Sequence, residues 1–301
     1  MRPSHDRVLG PLQTEDSPGE KHVSKNAVRV PTRAKVDELR KLAVLSYFVI
    51  QHVLDSPDGV AAAACIHAST LIRNAIVARG TARVVAATGS SQLKFLDLLV
   101  AQKDIPWQQV TLFHLDEYVN LGPEHPASMQ RYIQEHLVKP ARIVRTFLLD
   151  GTREETWTQA GDALILAPID VTFTGIGENG HLAFNEPPAD FTTEDPFIVV
   201  DLAEQTRQRQ VRERWFQSLD EVPRQAVTMS IREILKARAI LCIATGSRKA
   251  SAVHQCFVSE ISPLAPASAL RLHRAAVVYL DSAAGKDLPS SLSDRGRPEG
   301  T

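Results

Sequence analysis

From Ser56 onward, short runs of β-branched and aliphatic residues take turns with longer stretches in which apolar residues recur at helical spacing. Val44–Val53 (VLSYFVIQHV) has the composition of a strand, and Ala34–Lys41 before it is spaced for a short helix. Ser56-Pro57-Asp58 offers a cap with proline in the first turn, and Val60–Ala78 keeps helical spacing until Arg79-Gly80 ends it. Ala82–Ala87 and Val110–Leu115 read as buried strands, separated by a helix that carries Leu93, Leu96, Leu99 and Val100. Helical spacing returns in Pro126–Leu137, Glu154–Leu166, Thr228–Leu235 and Ala250–Val258; strand character returns in Thr146–Leu149, Val171–Phe173, Phe197–Leu202, Ala239–Ala244 and Ala276–Leu280. This alternation predicts an α/β fold of three layers, a Rossmann-like, mostly parallel sheet with helices on both faces.

The polar residues that interrupt the pattern gather at strand ends. Thr88-Gly89-Ser90-Ser91 joins a strand to a helix, where free N–H groups favour a phosphate; an ordinary capped turn would look the same. Asp116-Glu117 follows a strand as two adjacent carboxylates, suited to a cleft or to a solvated loop. The stretch Asp170–Pro188 (DVTFTGIGENGHLAFNEPP) empties a strand into closely spaced glycines and sets out Glu178, Asn179, His181, Asn185 and Glu186; its bland reading is a connecting turn with one surface histidine. Thr245–Lys249 is a second small-residue turn, with a lysine. Arg207, Arg209, Arg212 and Arg214 crowd into Thr206–Phe216, a charge run of the kind that usually marks a solvated helix face. In a parallel sheet the carboxyl ends share one edge, so these scattered groups converge on acid–base chemistry with a phosphorylated small molecule. Nucleophile-elbow, Walker and dinucleotide motifs find no convincing context, which points to a cofactor-free isomerase or hydrolase.

Composition narrows the class. The chain has 301 residues, 44% hydrophobic and 23% charged, enough for a full core, and a net charge of −1 argues against nucleic acid. The longest apolar run, Leu42–Ile50, falls short of the ~20 residues that cross a bilayer, so no membrane partner is expected. Three dispersed cysteines, Cys65, Cys242 and Cys256, fit buried thiols in a reducing, cytoplasmic compartment, and no Cys/His spacing suggests a metal. Residues 1–40 are expected to be a flexible extension, 41–285 a single domain and 286–301 a loose tail. Whether the chain forms a homo-oligomer stays open.

The segments Leu115–Ile133 (LDEYVNLGPEHPASMQRYI), Gly175–Pro188 (GIGENGHLAFNEPP) and Gly246–Val253 (GSRKASAV) resemble the glucosamine-6-phosphate deaminases, which share a group with the 6-phosphogluconolactonases. The likeness runs from about Val44 to Ala284 with the motifs in order. FNEP after the Gly-His pair fits the deaminase branch; a lactonase would read closer to GHTASLF. The resemblance implies conversion of D-glucosamine 6-phosphate to D-fructose 6-phosphate and ammonia, without cofactor. It implies that His181 opens the ring with Glu186 as its orienter and that Asp116 moves a proton between C2 and C1. It also implies that Thr88, Gly89, Ser90, Ser91 and Lys249 hold the phosphate together with Arg207 or Arg212. A lactonase, or a non-catalytic sugar-phosphate-binding regulator, are the competing readings; a regulator would need only the phosphate contacts.

Two departures from the family pattern stand out. Asn179 occupies the place before the Gly-His pair where an aspartate is usual, so His181 loses a charged partner and leans on Glu186, with Glu178 as a compensating neighbour. Ala189–Asp201 is acidic and lacks the basic residues that regulated members use for an activator's phosphate. N-acetylglucosamine 6-phosphate is therefore expected to leave the substrate saturation curve unchanged; initial rates measured with and without it would refute this if a sigmoidal curve became hyperbolic.

Overall fold

The computed structural model describes residues 50–293, so the expected helix at 34–41 and the first part of the expected strand at 44–53 lie outside the described residues. Strand β1 (Ile50–Leu54) leads into helix α1 (Pro57–Arg79), which starts and stops where its end signals stand. Ser56 Oγ accepts from the Gly59 N–H at 3.2 Å, and Gly80, at φ 76, closes the last turn on the Ile76 carbonyl. By length and composition α1 could cross a membrane, but Val60, Ala64, Ala68, Ile72 and Ala75 are buried in the protein core.

Seven strands form one sheet in the order β1-β10-β9-β6-β2-β3-β5, every neighbour pair parallel. Its members are β2 (Ala82–Ala86), β3 (Val110–His114), β5 (Arg145–Phe147), β6 (Val171–Thr174), β9 (Ala239–Ala244) and β10 (Ala276–Asp281), besides β1. Strand alternation divides the core in two. Val84, Leu112, Leu241 and Val277 pack with α1 and α2 (Ser90–Val100) on one face, and Val85, Phe113, Cys242 and Val278 pack with α4 (Glu154–Leu166), α6 (Ile231–Leu235) and α7 (Ala250–Val258) on the other. The three-layer architecture is as expected. The chain leaves β2 towards β3 and β5 on one side and returns through β6 to β9 and β10 on the other, so a crevice opens between the carboxyl ends of β2 and β6.

A second sheet was not foreseen. Strand β4 (Asp116–Tyr118) pairs antiparallel with β8 (Gln225–Met229), and β8 with β7 (Phe197–Asp201). Phe197–Leu202 is thus a strand outside the parallel sheet. The helix expected over Thr228–Leu235 begins only at Ile231, because Thr228 and Met229 close β8 and Ser230 caps α6, its hydroxyl accepting from the Glu233 N–H at 3.2 Å. Likewise α3 (Met129–Ile133) starts after Pro126, at a Ser128 cap, and continues through Gln134–Val138 in a wider turn to Ala141. In the expected tail, Leu288 is buried and Ser290–Ser293 forms a helical turn.

The two sheets meet where Gly151 passes beneath β4. Its carbonyl accepts from Asn120 N–H at 2.8 Å, and a Cβ there would overlap the Tyr118 carbonyl. Gly151→Ala is expected to destabilise the fold by roughly 2–3 kcal/mol, as overpacking against backbone does, read as a lower midpoint in urea denaturation.

Candidate active site

The crevice holds a cleft of about 520 Å³. Thr88–Ser91 after β2, Asp116 after β3, His181 after β6 and Thr245–Lys249 after β9 all line it, so one sheet edge brings together residues scattered over more than half of the chain. The two small-residue turns have the same shape. Gly89 (φ 113, ψ 165) and Gly246 (φ 92, ψ 147) sit just before the helical turns that start at Ser90 and Ser247, in a conformation closed to residues with a side chain. Ser91 Oγ lies 3.0 Å from Thr245 Oγ1, tying the turns to each other across β6. Asp281 accepts from the Gly246 N–H at 3.0 and 3.1 Å, and Tyr132 donates its hydroxyl to the Gly89 carbonyl at 3.3 Å.

The loop after β6 is built around one imidazole. A Cβ on Gly177 would overlap the His181 ring, so the glycine provides the space the ring occupies, and the Gly177 N–H holds the His181 carbonyl at 2.9 Å. Behind the ring, Asn185 donates to the Leu182 and Met229 carbonyls and the Phe184 N–H donates to Thr228 Oγ1, which anchors the loop on β8. His181 Nδ1 lies 3.5 Å from Glu186 Oε2. The same oxygen receives Asn179 Nδ2 at 2.6 Å, and Asn179 Oδ1 accepts from the His181 N–H at 3.3 Å. Asn179 therefore fixes both the carboxylate beside the ring and the backbone of the histidine. With Nδ1 turned to Glu186, Nε2 is the nitrogen left to the cleft. Burial holds the His181 pKa below its usual value, with Glu186 opposing. Burial pushes Glu186 up, but His181, Thr206 and Asn179 outweigh it and leave its pKa lowered.

On the opposite wall burial, reinforced by the charge of Glu117, pushes Asp116 up to about 8. Burial pushes Glu117 up to about 7, against hydrogen bonds from Gln130, Tyr118, Ser128 and Met129 that favour its charged form. Lys249 is lowered to about 8 by burial and by Arg209, so its charge is easily lost unless an anion restores it.

The arginines divide unexpectedly on α5 (Glu204–Arg212). Arg207 donates to the carbonyls of Leu219 and Val222, away from the cleft. Arg212 pairs with Glu178 at 3.3 Å, and Arg248 reaches the same carboxylate at 3.1 Å. Arg209 is the α5 arginine that lines the cleft; its Nε is buried without a hydrogen-bond partner, 3.9 Å from Glu213 Oε1. The family resemblance implied Arg207 or Arg212 in this place. The buried face of α5 is Thr206 and Gln210, with no apolar residue to mark which side points inward.

Gly177→Ala is expected to push the His181 ring from its place. Burial is the main cause of the lowered imidazole pKa, so a displaced, wetter ring should titrate at higher pH, back towards the usual histidine value; an NMR titration of His181 checks this.

The family described as glucosamine-6-phosphate isomerases/6-phosphogluconolactonase matches residues 55–279. A glucosamine-6-phosphate deaminase of Exiguobacterium sp. is 34% identical over 237 residues, 78% of this chain and 91% of the relative. One from Rhodopirellula baltica is 40% identical over 207 residues, 66% of this chain and 81% of the relative. Among solved structures, a monomeric glucosamine-6-phosphate deaminase superposes with a TM-score of 0.73 at 29% identity, covering 79% of this chain and 99% of its own. The 6-phosphogluconolactonase of Trypanosoma brucei, at 18% identity and a TM-score of 0.67, shares the fold. With the match reaching every strand of the large sheet except β1, both small-residue turns and the histidine loop, the chain belongs to the glucosamine-6-phosphate isomerase/6-phosphogluconolactonase family.

Proposed function

We propose that this protein is a glucosamine-6-phosphate deaminase, converting D-glucosamine 6-phosphate and water to D-fructose 6-phosphate and ammonia. The observation that carries the reading is the presence, in the lining of one cleft, of the buried carboxyl group of Asp116 and of His181, whose Nδ1 lies 3.5 Å from the Glu186 carboxylate. Deaminases among the relatives at 34–40% identity support the same choice over lactone hydrolysis.

The residues divide the work by their chemistry. His181 takes the proton from the C1 hydroxyl and returns one to the ring oxygen, which opens the pyranose to the aldehyde; Glu186 steadies the imidazolium formed in between. Asp116 as carboxylate removes the proton from C2, made acidic by the adjacent aldehyde, while the aldehyde oxygen gains a proton from the 2-ammonium group, which gives an enolamine. Asp116 then returns its proton to C1, leaving a C2 iminium, and water replaces the nitrogen to give the ketose and ammonia. A carboxylate whose proton affinity is raised by burial suits the abstraction from carbon. The amides of Thr88–Ser91 receive the phosphate, with Lys249 and Arg209 as its cations; bound phosphate would lift Lys249 back into its charged form. Arg209 fills this role in place of Arg207 and Arg212, whose guanidinium groups are engaged elsewhere. Three free, buried thiols support a cytoplasmic setting.

Purified protein should release ammonia and fructose 6-phosphate from glucosamine 6-phosphate in a coupled assay. Asp116→Asn and His181→Asn should each lower kcat by about 10²–10⁴, the usual worth of a general acid or base. Arg209→Ala should act mainly on KM. Because Asp116 works as the base only when ionised, and its pKa lies at about 8, kcat/KM should rise with pH up to that region. Full turnover by Asp116→Asn would remove it from the mechanism.

A further inference from the structure

Asp116 and Glu117 are consecutive in β4, so strand alternation sends their side chains to opposite faces. Asp116 reaches the cleft, whereas Glu117 is sealed behind it with 0% of its surface exposed. There Oε1 accepts from the Tyr118 N–H at 2.8 Å and the Met129 N–H at 3.2 Å, and Oε2 from the Gln130 N–H and the Ser128 hydroxyl, each at 2.8 Å. Ser128 Oγ in turn caps α3 by accepting from the Arg131 N–H at 3.2 Å. All four partners of Glu117 are donors. Three of them are backbone N–H groups that can only donate, so the pocket favours an ionised carboxylate over a glutamine or a protonated acid. Among the described residues no cation pairs with either acid. From α5, Arg209 and Glu213 act on Tyr118 next door, while His181, with Glu186 behind it, and Lys249 line other parts of the cleft.

A purely structural pin would not need to bury a charge without a counter-ion beside a second acid. We propose that Glu117 is a positioning residue for Asp116: hydrogen bonds from the first turn of α3 favour its ionised form, and the carboxylate so held locks β4 with Asp116 facing the cleft and strengthens the Asp116 carboxylate as a base. Burial alone would also favour the proton on Asp116, but the neighbouring charge adds to it and depends on one replaceable group. Because the two acids interact, their titrations are coupled, and the charge on Glu117 raises the proton affinity of Asp116.

This inference rests on Asp116 acting as the base, and Glu117→Gln separates the two ideas. The variant should move the acid limb of kcat/KM to lower pH and reduce kcat on the plateau by roughly threefold to tenfold, as a weaker base does, with little change in KM. Carboxyl ¹³C NMR of the substrate-free protein should show the Asp116 titration moving the same way. Ser128→Ala withdraws one donor and leaves Glu117 in place, and should shift both readouts in that direction by less. An unmoved limb and an unmoved Asp116 titration in both folded variants, with only a lower melting temperature, would overturn the proposal. Absence of turnover by the unmodified protein would remove the deaminase reading, and the NMR shift would still decide whether Glu117 controls Asp116.

Discussion

Everything in the site follows from the divergence of the chain at β2 and β6. In an all-parallel sheet every carboxyl end lies on one edge, and where the connections part to opposite sides no loop fills the gap between them. Here that gap is flanked by two turns of the same shape, Thr88–Ser91 and Thr245–Arg248, with the histidine loop rising between them from β6. The two turns and the histidine loop are thereby placed by backbone that the core itself holds rigid. Val171 and Phe173 of β6 are fully buried, so the strand beneath the loop has no freedom to shift.

Within that frame the site separates its ionisable groups by environment. His181 is kept neutral by burial and given a single charged partner, Glu186, through a contact that Asn179 steadies. An amide at position 179 donates to Glu186, where a second carboxylate would repel it; the histidine therefore faces one negative charge in place of two. Asp116 receives the opposite treatment, burial beside a like charge. The proton affinity of one group is lowered and that of the other raised, and the difference comes from their neighbours.

The parallel sheet was legible because strands such as Ala239–Ala244 are buried on both faces and therefore form unbroken apolar runs, and the helix Glu154–Leu166 was legible from its helical spacing. Turns made of small residues were legible for the same kind of reason, since little else tolerates the backbone angles at Gly89 and Gly246. The small sheet escaped because β4 and β8 are three and five residues long and one of them is written in acids. Arg209 escaped because α5 carries its inward face in Thr206 and Gln210, so no apolar stripe distinguishes one arginine from the next. Glu117 looked like any loop acid. Its significance lies in donors up to thirteen residues away, which only the turn at Ser128 brings to it.

The two walls of the cleft are fastened by different means. The Asp116 wall is held from inside, by hydrogen bonds to a carboxylate that water does not reach. The wall that carries Arg209 is held from outside, by the ties of Arg212 and Arg248 to Glu178, and both arginines are more than half exposed. Ions in solution screen such exposed pairs and leave buried hydrogen bonds almost untouched. Ionic strength is thus a variable to which the cleft responds on one side only, loosening the wall that carries Arg209 while Asp116 keeps its position.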